Sequence, residues 1–182
     1  MSVLGEFLAA VDRWHDHLGP DIDLDELEAP HRAVADLDLE AFGRHADHLR
    51  ATADALDDAA QALAPGDHTG WDGAGGDGLA DATRAIGDDV TELRDILAEH
   101  ARTTATAHDT LDRILRDYRA AIADATAPVP ATGTDAVRAE VATRVELATA
   151  AGTAAAQGVD DTMTALADEY RSAGELVLAG ER

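Results

Sequence analysis

Eight histidines and 37 acidic residues are the groups in this 182-residue chain that could ligate a metal or move a proton. His45 and His48 stand three apart with Asp47 between them, and His15 and His17 flank Asp16. Zinc needs three or four ligands converging on one point, and no H-E-x-x-H is present to start such a set. His48 adjoins Leu49, so the pair reads as straddling a solvent boundary. Asp21-x-Asp23-x-Asp25 opens like a calcium loop. Glu26 then stands where that loop turns on glycine, and Arg32 where it needs a bidentate carboxylate. A solvated acidic loop is the expectation.

The run PGDHTGWDGAGGDG, residues 65–78, lacks the G-K-[S/T] ending of a phosphate cradle, and Asp72 and Asp77 would repel phosphate. Only Ser2 and Ser172 carry serine hydroxyls, neither within G-x-S-x-G. With no cysteine and no lysine, thiol and Schiff-base nucleophiles are excluded. Carboxylate pairs occur throughout, so none stands out as an acid–base couple. His100, on the inner face of its expected helix, reads as a core histidine bonded to a carboxylate, with pH sensing as the alternative. The sequence therefore predicts a non-enzyme without metal or cofactor.

Composition narrows the partners. A formal charge of −23 leaves no basic patch to displace counterions from nucleic acid or to settle on anionic lipid. It also implies strong self-repulsion at low salt. No stretch approaches eighteen apolar residues, so no membrane-spanning segment is expected. The first residues lack the basic and apolar regions of a cleavable signal peptide. Aromatics make up only 3% of the chain while alanine fills about forty positions, a composition that suits closely spaced helices better than aromatic-rich strands.

Periodicity supplies the elements. Phe7, Leu8, Val11, Trp14 and Leu18 line one face of a first helix that Gly19-Pro20 should end. Residues 21–28 and Pro30 read as loop or short turns. Leu39, Phe42, Ala46, Leu49, Ala53, Leu56, Ala60 and Leu63 alternate spacings of three and four, a seven-residue repeat with Asp36 or Asp38 as N-cap and Pro65-Gly66 as stop. A second long pattern starts at Leu79, with Asp77 as N-cap, and runs through Ile86, Val90, Leu93, Leu97, His100 and Thr104 to Ile122. Such a helix, 77–125, would be roughly 70 Å long and needs a neighbour along its length. After a turn at 127–133, a third pattern occupies 134–180, with Gly152 and Gly158 marking a close backbone approach or, alternatively, a break. The expected fold is all-α: an elongated antiparallel bundle of three long helices and a shorter N-terminal one, forming a single domain over 1–182.

The sharpest motif is Trp71-Asp72-Gly73, in the turn between two heptad-patterned helices. A tryptophan there can plug the end of a helical pair or be displayed to a partner. This helix, W-x-G turn and helix, covering 39–125 of a small acidic chain, resembles the WXG100 (ESAT-6/CFP-10-like) superfamily of type VII (ESX) secretion substrates. The added helices resemble those of larger, EspB-like substrates and of the amino-terminal domains of exported toxins. The family's Y-x-x-x-[D/E] export signal has no strict match: Tyr118 is followed by Ile122, while Tyr170 has Gly174 and then Glu175. Pairing across 127–133 is expected to set Tyr170 opposite about Val90, so that Tyr170 and Glu175 form a degenerate counterpart near Trp71.

The resemblance implies a protein that is cytoplasmic before export and then secreted or held at the cell surface without a signal peptide. It implies a secretion ATPase and export machinery as partners, and a WXG100-like partner or self-association. The alternative is a cytoplasmic helical scaffold or adaptor that dimerises through its apolar seam.

Overall fold

The computed structural model describes residues 3–14, 17, 24–63, 74–130 and 133–180. Among them it places five α-helices and no strand: α1 (Val3–Trp14), α2 (Leu24–Ala35), α3 (Leu39–Leu63), α4 (Ala74–Thr126) and α5 (Thr134–Gly180). The protein is all-α. The three long helices fall where the heptad spacing sets them, and α5 runs unbroken through Gly152 and Gly158.

α2 corrects the expectation of a loop. Pro30 lies inside this helix, where a proline costs about 3 kcal/mol through a lost backbone bond and a steric clash. Leu27, His31 and Val34, spaced four and three apart, are all buried and give the helix an inner face. Burying a large apolar side chain contributes roughly 1.5–3 kcal/mol, so Leu27 and Val34 together offset the proline. Outside, Arg32 donates to Glu28 at 2.5 Å and to Asp25 at 3.4 Å. A second correction concerns Asp77: α4 begins three residues earlier, so Asp77 lies in its first turn, where a carboxylate favours the positive end of the helix dipole.

Contacts group the chain into two compact units, 1–39 with 109–165 and 40–108 with 166–182. In the first, Phe7 and Val11 of α1 and Leu27 and Val34 of α2 pack with Leu115, Tyr118, Ile122 and Ala125 of α4 and with Ala148 and Ala155 of α5. Val141 meets Ala10 and Trp14 in a smaller cluster that Val129 and Val137 join. Arginines from two other helices close the C-terminal end of α4, which has no basic residue in its own last turn. Arg13 donates to the Thr126 carbonyl, and the largely buried Arg144 donates to the carbonyls of Ala125 and Ala127. They satisfy acceptors that a helix end leaves open. Gly133, at φ 98°, takes the left-handed conformation that starts α5 and accepts from the Val137 amide.

In the second unit α3 and α4 run antiparallel. Arg94 donates to Asp57 at 2.6 Å, and Gly43 lies against the His108 ring, so the two sequence positions rise on one helix as they fall on the other. Among the described residues of this unit, the buried positions of α3 and α4 are small, Ala46 and Ala53 on α3 and Ala101, Thr104 and Ala107 on α4, and α5 adds one larger side chain, Leu166. Small side chains permit close helix approach, which explains the alanine-rich, aromatic-poor composition. The α4 seam is not buried throughout. From Thr104 to Ile122 it is largely covered, but Leu79, Ile86 and Leu93 are about half exposed, against the expectation that they pack.

Candidate functional site

Of the residues singled out from the sequence, Trp71, Asp72 and Gly73 lie outside the described residues. So does the side chain of Glu175, whose backbone belongs to α5. Tyr170 is placed. Its ring meets His100 edge-on at a centroid distance of 4.5 Å, and its hydroxyl hydrogen-bonds with Oγ1 of the fully buried Thr104. His100 is thus an inner-face residue, but its neighbour is an aromatic ring instead of the expected carboxylate, and its Nε2 is buried with no hydrogen-bond partner among the described residues.

This overturns the expected pairing of Tyr170 with Val90. The cause can be seen at the start of α5. Its first turns pack through Val137 and Val141 on Trp14 and Ala10 and do not fold straight back along α4. Ile114 consequently meets Gly158, where a tight reversal at 127–133 would have set it near residue 146. The offset is about three helical turns. In the second unit Tyr170 meets α4 at His100 and Thr104, ten to fourteen positions from Val90.

The contact gives a testable result. Tyr170→Phe removes one partner of a part-buried hydroxyl pair and should cost about 1 kcal/mol in denaturant unfolding. Adding Thr104→Ala should cost less than its effect in the wild type, because the two hydroxyls act as a pair. Strict additivity of the two changes would contradict the contact.

A second cluster escaped the sequence reading. His31 of α2 is completely buried; Phe7 of α1 lies at a ring-centroid distance of 4.1 Å, and Tyr118 of α4 shares a 2.9 Å hydrogen bond with Nδ1. The fourth wall is Gly152 of α5, where a Cβ would stand 2.7 Å from Cε1 of the imidazole. Nε2 is buried with no hydrogen-bond partner among the described residues. Burial holds the imidazole below its ordinary value of 6.5, with the nearby Glu28 charge opposing part of that effect. Burial also pushes the Tyr118 phenol up to about 12, so it remains a neutral hydroxyl. The available signal was the 4-3 spacing of Leu27, His31 and Val34, which Pro30 and the surrounding acids obscured.

His45 and His48 are both exposed on α3. Among the described residues no three His, Asp or Glu side chains converge as a metal site. Asp57 is held below the usual carboxylate range by its hydrogen bond from Arg94 and, second, by one from Gln61. No described helix is long and apolar enough to cross a membrane. The geometry that stands out is thus two His–Tyr contacts that tie α5 to α4 and α2 to α4, each in its own unit. No family model matches the chain, nor does any curated protein or solved structure.

Proposed function

We propose that this chain is a type VII (ESX) secretion substrate of the WXG100 kind, or the helical part of a larger one, exported folded and acting through protein–protein contact. The observation that carries the reading is the Trp71-Asp72-Gly73 triplet in the ten residues that connect α3 to α4, two long helices that pack antiparallel. In this reading Trp71 is recognised by the secretion ATPase, and Tyr170 fixes the α5 tail carrying Glu175 onto α4. The protein resides in the cytoplasm until export and has no catalytic role.

Growth of the native host with and without its ESX ATPase tests this. The protein should collect in the medium only when the ATPase is active. Retention in cells under both conditions, with normal expression, would reject the reading and leave the cytoplasmic scaffold.

A further inference from the structure

On the inner face of α2, His31 stands between Leu27 and Val34, and its ring meets the three other helices of its unit: Phe7 of α1, Tyr118 of α4 and Gly152 of α5. Of these partners only the Tyr118 hydroxyl is polar. The charge that acts on the ring is Glu28 of its own helix, which Arg32 also engages. Nε2 meets no acceptor among the described residues. The site holds a neutral imidazole and offers nothing to a second N–H donor.

α2 is also weakly built. It has twelve residues, a length at which an isolated helix is marginal in water, and Pro30 supplies no amide to its ladder. The other three helices are joined without it. Ala10 and Trp14 of α1 pack with Val141 of α5, Arg13 of α1 bonds the Thr126 carbonyl of α4, and Arg144 of α5 bonds the carbonyls of Ala125 and Ala127. None of these contacts includes a residue of α2. Just beyond its C-terminal end, Leu37 and Leu39 pack on the main core and tether the chain there.

We propose that α2 is an acid-released flap: protonation of His31 lifts it from α1, α4 and α5 while those three stay packed, uncovering the apolar surface on which Leu27 and Val34 rest. The inference goes beyond a general loss of stability, because one helix opens ahead of the rest. It does not depend on export.

Amide hydrogen exchange of the full chain at pH 7.5 and 5.5, corrected for the intrinsic rate at each pH, reads the opening of each helix. A histidine kept neutral in the closed state, which takes up a proton near 6.5 in the open one, raises the opening equilibrium by up to about tenfold over this range. Protection of residues 27–35 should fall by up to about that factor and should lie below that of 111–125 and 141–155 at both pH values. His31→Asn should abolish the fall. Gly152→Ala, which presses on the ring without adding charge, should lower the protection of 27–35 already at pH 7.5, and it keeps the test decisive if the Asn variant does not fold. Protection of α2 that is unchanged between the two pH values would overturn the proposal. So would α2 protection equal to that of 111–125 and 141–155, since the helix would then open only when the whole unit unfolds. A fall that persists in His31→Asn would assign the response to another group.

Discussion

Gly152→Ala is expected to destabilise the protein by about 1–2 kcal/mol, although the same exchange within a helix ordinarily stabilises by up to about 1 kcal/mol. The new methyl would stand 2.7 Å from Cε1, 2.9 Å from Nδ1 and 3.1 Å from Nε2 of His31. That ring cannot easily give way: Phe7 lies against it, Tyr118 bonds it, and it is completely buried. Inserting a methyl into so tight a site costs about 1–3 kcal/mol, enough to outweigh the gain in helix propensity.

Two other helical glycines serve as internal controls. At Gly87 a Cβ meets nothing within 4 Å, so Gly87→Ala should raise stability. At Gly158 the nearest atom, 3.0 Å away, is the terminal methyl of Ile114, which can rotate, so Gly158→Ala should be close to neutral. For a chain of this size each kcal/mol moves the melting temperature by about 2–4 °C. Thermal melts of the three variants should rank them Gly87→Ala, Gly158→Ala, Gly152→Ala in falling order. A Gly152→Ala variant as stable as wild type would mean that α5 does not press on His31.

The second large effect is acid sensitivity. A protonated imidazole carries two N–H donors; Tyr118 accepts from Nδ1, but Nε2 would meet no acceptor among the described residues around this buried site. The groups facing the ring are Tyr118 from α4, Phe7 from α1, Gly152 from α5 and, on its own helix, the Glu28 charge. Glu28 is already engaged by Arg32 at 2.5 Å. Because burial lowers the folded-state value, the unfolded chain binds the proton more readily. The stability held by neutral His31 is fully present above 6.5 and is lost as pH falls below it toward the folded-state value.

One such site contributes a slope of at most about 1.4 kcal/mol per pH unit. Urea midpoints measured from pH 7.5 to 5.5 should fall in the wild type, in a window above the ordinary carboxylate range. His31→Asn keeps a polar group toward Tyr118 without titrating there, and should show a flatter profile across the same window. Identical profiles for the two proteins would contradict the burial of His31.

The fold was legible where packing follows a regular period. The heptads from Leu39 to Leu63 and from Val137 to Tyr170 place α3 and α5, because small and branched side chains at that spacing must meet another helix. Residues 24–35 were harder to read. Proline and acids locally favour a loop, and only burial of Leu27, His31 and Val34 against other elements reverses that preference. Helix register was hidden for a related reason. It depends on where Val137 and Val141 settle, and a contact with Trp14, more than a hundred positions away, leaves no mark on local spacing. His31 shows the same limit, since its partners come from three other helices.

The export reading meets its most direct test in Trp71→Ala, produced in the native host and measured as the ratio of protein in the medium to protein in the cells. The account predicts that the variant stays in the cells, with helicity and melting like the wild type. Export of Trp71→Ala at the wild-type ratio would contradict it.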